Sequence, residues 1–431
     1  MKNLLLIPFF TITLIAHAQW NQLGNDVGAS ARNFKLNGDG TEVALGNQFD
    51  DTYGVDRGVV TVMEWDGVSW IQKGSDIYGA SEGDKITILD FSNDGNLLLV
   101  ASVMGYYAVI YEWNGIDWMI KGSEVNLQWP FCIAGSISNN GLTFAVGSEY
   151  ADLPPMNDVG SAKVFAWDGT AWSQQGATFT GTGLGGHLGS SVSLSEDGNR
   201  LAIGEDYDNS GNTGVGKVKV YDWNGIGWVL VGAIMEGNGP YRFGYVVDLS
   251  ADGNSIAISE PRFYNNGYAG QVFVYEWNGS TWDQQGITID NPFSGVEDFG
   301  LDIDFTDDGQ HLIVGAKFAQ STIGAAVTYV WNGTVWIQYG SSIPGNGAYD
   351  WFGEKVAISE DAAIVAGQTN SPGVVRVYED MFAGTEEEII ETNKSIERVV
   401  DLLGREVSIK PNTCLIYIYD DGSAEKVFIV E

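Results

Sequence analysis

At seven points spaced about 50 residues apart along this chain, a tryptophan is followed, four positions later, by a glycine. The copies are Trp20…Gly24, Trp70…Gly74, Trp118…Gly122, Trp172…Gly176, Trp228…Gly232, Trp282…Gly286 and Trp336…Gly340. Such a period marks a propeller, a solenoid or an array. All but the first are preceded by a hairpin signal of the form Trp-[Asn/Asp]-Gly-x-x-Trp, as in Trp65-Asp66-Gly67 and Trp277-Asn278-Gly279. Asn-Gly and Asp-Gly accept the positive φ angles that a tight hairpin turn requires. A second turn falls earlier in each unit, at Ser195-Glu196-Asp197-Gly198, Ser250-Ala251-Asp252-Gly253 and their equivalents.

Each unit therefore reads as four strands, A to D, with tight A–B and C–D hairpins and longer B–C and D–A loops. Strand C is apolar on both faces: Val272 and Val274 alternate with Phe273, Tyr275 and Trp277. A sheet with one wet face would alternate polar and apolar residues, whereas sheets stacked face to face bury both sides. The tryptophans are read as core anchors. The seventh unit has strands A, B and C (352–358, 364–367, 374–378) but no Trp-x-x-x-Gly strand of its own. The orphan copy at Trp20 is the piece that would complete it. The expectation is an all-β chain whose main domain, 19–384, is a seven-bladed β-propeller closed by its N-terminal strand, which leaves no open edge.

Phe243-Gly244…Asp248-Leu249-Ser250-Ala251-Asp252-Gly253, with Gly270-Gln271-Val272-Phe273-Val274-Tyr275, resembles the FG-GAP-like repeats of integrin-type propellers. Phe299-Gly300 and Phe352-Gly353 repeat the opening, and Leu188-Gly189 is a weaker version. The resemblance implies calcium loops at the A–B turns. Asp248, Ser250 and Asp252 match the first ligand positions of one turn, and Asp304, Thr306 and Asp308 those of another. The closing ligand position is Ile256 in the first and Leu312 in the second, so no cofactor or metal is expected at these turns.

Residues 1–18 have a basic start, an apolar run from Leu4 to Ala16 and small residues at Ala16 and Ala18, the pattern of a cleaved signal peptide. No later run is apolar for long enough to span a membrane. With 21 basic against 56 acidic residues and a net charge of −35, the surface repels phosphate backbones, which excludes nucleic acid as a partner. Two cysteines, Cys132 and Cys414, are too few for a disulfide framework.

After an acidic linker at 385–393 the repeat stops, and 394–431 reads as a short β domain. Its Asp401-Leu402-Leu403-Gly404-Arg405 core, Tyr417-Ile418-Tyr419 strand and Asp421-Gly422-Ser423-Ala424-Glu425-Lys426 ending resemble the type A sorting domain of type IX secretion substrates. The resemblance implies secretion, or anchoring at the outer cell surface, with the secretion machinery as a partner. Asp401, Gly404, Arg405, Tyr417, Asp421, Gly422 and Lys426 would carry the signal.

Catalytic signatures do not stand out. The mature chain has two histidines, His187 and His311, in different units, and no catalytic residue is assigned. The acidic pair Asp206/Asp208 is read as solvated loop charge. The B–C and D–A loops share one face and carry aromatic residues, of which Trp129, Tyr150, Tyr207, Tyr264 and Trp351 are the candidate ligand contacts. Variable loops on a rigid scaffold are where recognition concentrates. The expected role is a binding or adhesion module for a glycan or protein. The alternatives are an extracellular hydrolase or lyase, which convergent acids with a His or Arg over the channel would favour, and a calcium-stabilised structural protein.

Overall fold

A computed structural model describes residues 20–381, apart from 29, 130–131, 153–156, 182, 184, 209–214, 240–241, 262–269, 294–297 and 370–372, and beyond them 396–401, 405, 407, 413–419 and 424–429. The leader at 1–18, the linker at 385–393 and the candidates Tyr264, Gly404, Asp421 and Gly422 lie outside the described residues. Two compact units divide the chain, Met1–Ala383 and Gly384–Glu431.

The first unit is a seven-bladed β-propeller. Seven antiparallel sheets follow one another along the chain, each with strands in the order A-B-C-D. Blade 4 is typical: A is Leu188–Leu194, B Arg200–Asp208, C Val215–Trp223 and D Trp228–Leu230. In the seventh sheet A is Val356–Ile358, B Ile364–Gln368 and C Val375–Asp380, and the fourth strand is the N-terminal Trp20–Gln22. It runs antiparallel to strand C, with Trp20 opposite Asp380 and Gln22 opposite Tyr378. Backbone bonds Leu23 N to Val377 O and Val27 N to Val375 O, both 2.8 Å, extend the seam. Ring closure by the Trp20–Gln22 strand is thus as expected.

Seven buried apolar clusters among the described residues each span one blade-to-blade junction, including the one that joins blade 7 to blade 1 through Val27, Phe34, Val43, Val375 and Val377. Both faces of strand C contribute to these clusters, which is why its sequence does not alternate. In blades 1 to 6 the two tryptophans of the C–D hairpin face each other, with ring centroids from 5.2 to 5.6 Å apart. The D-strand indole also reaches backward. Trp172 Nε1 donates to Lys121 O at 2.9 Å, and Trp70, Trp118, Trp228 and Trp282 make the equivalent bond to the preceding repeat.

The glycine of the repeat has a structural cause. Gly122 has φ +80, and a Cβ there would stand 2.6 Å from a ring carbon of Trp167. The motif therefore seats the tryptophan pair of one blade on the glycine of the blade before it. One departure from the four-strand reading follows. At this glycine strand D breaks, and in blades 1 to 5 a two-residue segment such as Met235–Glu236 pairs back on strand C as a fifth strand.

The second unit is a three-stranded antiparallel sheet of Ile396–Asp401, Thr413–Tyr419 and Ala424–Ile429, with the middle segment central. Asp401 ends the first strand, Tyr417 pairs with Val399 and Glu425, and Lys426 pairs with Ile416. Arg405 is exposed. No helix among the described residues is long and apolar enough to cross a membrane.

Candidate functional site

The seven A strands line a central cavity of about 380 Å³. Polar side chains on them tie successive blades from the first to the seventh. Asp90 accepts the Ile137 N–H at 2.7 Å, Ser136 that of Leu194, Ser193 that of Leu249, Asp248 that of Phe305 at 2.9 Å and Asp304 that of Ile358 at 2.7 Å. Lys35 holds the equivalent place in blade 1, its Nζ 3.9 Å from Asp90. Asp248 and Asp304, the first positions of the supposed calcium turns, thus serve the neighbouring blade. In the turn itself Asp252 accepts from Ser250 at 2.8 Å and from the Asn254 backbone at 2.8 Å, an ordinary hydrogen-bonded hairpin.

At one end the A–B turn tips meet. Their N–H groups donate to the carbonyl of the next tip: Glu360 to Gly38, Gly38 to Asn93, Glu196 to Ala251 and Ala251 to Asp307. Across the axis, Asn93 and Asn139 both donate to Asp307, at 2.8 and 3.2 Å. Burial, and then the neighbouring Glu360 carboxyl, push the pKa of Asp307 up to about 6. The folded protein therefore holds this proton more tightly than the unfolded chain does. Stability falls as pH rises from about 4 through 6 and stays on the lower level above. Asp307→Asn, which keeps an acceptor for both asparagines, is expected to melt higher than wild type at pH 8 and to match it at pH 4. Thermal melts at the two pH values check this.

At the other end, among the described residues, three blades place polar groups around the cavity rim. Glu149 and Tyr150 follow strand B of blade 3 (Thr143–Ser148), and Asp206 and Tyr207 end strand B of blade 4. His187 and Arg242 each precede the Leu-Gly or Phe-Gly opening of the following blade. Both are left-handed, at φ 56 and 64, as are Asp298 and Trp351 at the same repeat position. A non-glycine residue held there costs on the order of 1–3 kcal/mol, so the fold enforces the direction of these side chains.

Asp206 is fully buried, which corrects its reading as solvated loop charge; the side chain of Asp208 lies outside the described residues. The Asp206 carboxylate is 3.3 Å from His187 Nδ1 on one side and in contact with the Arg242 guanidinium on the other. The guanidinium also lies 4.6 Å from the centre of the Tyr245 ring. Burial pushes the His187 pKa down, but Asp206 and Glu149 outweigh it and the net direction is up. Glu149 is raised by burial and by the charge of Asp206, while His187, Arg242 and a hydrogen bond from Tyr150 pull it back. One ligand atom each from Glu149, His187 and Asp206 lie within 4.8 Å of one another.

Of the aromatic candidates, the structure unites two. Tyr150 stands edge-on to His187 at 5.2 Å and Tyr207 lies 5.9 Å from the same imidazole, both well exposed. Trp129 is half-buried beneath Lys163, and Trp351 lies beneath Lys317 and against Phe318. These two indoles belong to other blades and do not join the cluster. Glu149, Arg242 and Tyr245 were not singled out in the sequence. The signal that could have found Arg242 is its place, one residue before Phe243-Gly244, in register with His187 before Leu188-Gly189.

Solved structures with the same architecture are similar to this chain. The β-propeller domain of Cps50 (Swd1) from Myceliophteria thermophila aligns with a TM-score of 0.58 at 10% identity, over 84% of this chain and 99% of that one. Kuenenia stuttgartiensis hydrazine synthase aligns with a TM-score of 0.56 at 13% identity, over 83% and 97%. At such identities the likeness is one of fold. Neither a protein-family model nor a curated protein matches the sequence.

Proposed function

We propose that this β-propeller is an exported binding module that holds a glycan at the rim of its central cavity. The observation that carries the proposal is the meeting of Tyr150 and Tyr207 with Glu149, His187 and Arg242 at the rim of the cavity. Exposed rings offer flat apolar faces to a sugar, and planar charged groups beside them can pair with its hydroxyls. Glycan arrays probed with the full chain test this. Tyr150→Ala and Tyr207→Ala are each expected to weaken a captured glycan about tenfold, near the 1.4 kcal/mol that stacking on one ring contributes. Binding only to proteins, or binding unchanged in both variants, would redirect the assignment.

Export is proposed on the leader at 1–18 and on the resemblance of 394–431 to a type A sorting domain. The FG-GAP-like openings support kinship with integrin-type repeats on the same footing. Deleting 394–431 in the producing cell is expected to retain the propeller inside the envelope, as cell fractionation would show.

One observation favours a second reading as a hydrolase or lyase. Glu149, a carboxyl with raised pKa, stands beside His187 and Arg242 at the mouth, and a carboxyl tuned in this way suits acid–base work. Product analysis after incubation with any captured polysaccharide separates a binder from a catalyst.

A further inference from the structure

We propose that Glu149, His187 and Asp206 form a binding site for a divalent transition-metal ion of the zinc class, distinct from the A–B turns where the repeat resemblance would put calcium. The argument rests on the geometry of these three residues and stands whether or not the mouth takes a glycan.

One imidazole and two carboxylates are a donor set suited to zinc and its neighbours. The spacing fits as well. A tetrahedral ion with bonds of about 2.0–2.1 Å sets its ligands about 3.3–3.4 Å apart, and His187 Nδ1 is 3.3 Å from Asp206 Oδ1. The Glu149 oxygen closes the group within 4.8 Å. Burial supplies a separate indication. Asp206 has no exposed surface, and its two oxygens are held by His187 Nδ1 at 3.3 Å and by the Arg242 guanidinium. Buried carboxylates are paired or coordinate metals, and an ion here would be shared by Asp206 and His187.

The surroundings match those of a ligated ion. Arg242 contacts the second oxygen of Asp206, and Tyr150 bonds to Glu149. Groups in such positions orient carboxylate ligands. The left-handed backbone of His187 fixes the direction of its ring. Three protein ligands would leave a fourth position for an outside ligand, and Glu149 lines the cavity.

The test uses the full chain, stripped of metal by chelation and dialysis, and titrated with Zn²⁺ by calorimetry and with Co²⁺ by visible absorption. One equivalent per chain is expected, with the d–d bands of a four- or five-coordinate cobalt centre. His187→Ala and Glu149→Gln are each expected to weaken Zn²⁺ at least 100-fold and to abolish the cobalt bands. His311→Ala, which removes the other mature histidine, is expected to change neither. Near-UV circular dichroism establishes that each variant is folded; if His187→Ala is not, Glu149→Gln decides. Zn²⁺ binding that is weak, of high stoichiometry and equal in wild type and Glu149→Gln would overturn the proposal. It would leave Asp206 as the anion of a metal-free cluster with Arg242 and His187.

Discussion

Removing residues 20–28 is expected to cost on the order of 5 kcal/mol and to replace a single cooperative melt with a broad one. That segment supplies the last strand of blade 7 and places Val27, 1% exposed, in the junction between blades 7 and 1. Burial of Val27, Leu23 and part of Trp20 accounts for the figure at about 25 cal/mol per Å². Without it strand C of blade 7 becomes a free edge rich in valine and prone to pair with other chains. The rescue is specific. In blade 6 Trp331 lies opposite Trp336 across Asn332-Gly333, and Asp380 lies opposite Trp20 in the same register. Moving 20–28 to follow Asp380 through an Asn-Gly turn should therefore restore the melt. Calorimetry on the deletion and the permuted chain decides; equal stability of deletion and wild type would mean that the seam does not hold the ring.

Trp172→Ala is expected to destabilise by about 3–5 kcal/mol, the range for truncating a buried tryptophan. The side chain is 8% exposed, packs 5.2 Å from Trp167 and 4.8 Å from Phe144, and bonds to Lys121 O. Trp172→Phe keeps much of the packing and loses that bond, so about 1–2 kcal/mol is expected. Urea titration measures both, with an unchanged m-value as the sign that the unfolded state is not at issue. A surface residue of the same strand, such as Gln174, should tolerate alanine within about 0.5 kcal/mol.

Much of this fold is legible in the sequence because its information is local and repeated. The Asn-Gly turn, the Trp-x-x-x-Gly strand and the two-faced strand C recur often enough to give the blade, and counting them gives the ring. The missing fourth strand of the last unit gives the closure. The break in strand D was less visible, since a glycine in a strand signals an irregularity without saying where the chain goes next. The inward belt of Asp90, Ser136, Ser193, Asp248 and Asp304 was also hidden. Those side chains act between blades, and in the sequence two of them look like half of a calcium loop.

The mouth was legible only in part. Tyr150 and Tyr207 stood out as loop aromatics, and His187 and Asp206 were noticed separately. Nothing in their spacing, 37 residues from Tyr150 to His187 and 19 from there to Asp206, joins them. Proximity arises because equivalent loop positions of consecutive blades stand side by side around an axis. Reading the residue before each Phe-Gly or Leu-Gly as one column would have aligned His187, Arg242, Asp298 and Trp351, the column from which two of the cluster's charged groups come.

The turn tips bonded across the axis by Asn93, Asn139 and Asp307 make the cavity blind-ended. A polymer cannot be threaded through this molecule. It can present a terminus or lay a loop into the bowl, and whatever enters must leave by the way it came. Occupancy by one molecule therefore bars the next, and a long chain decorated with many copies of this protein would carry them at its ends or along its outside, never strung on it like beads.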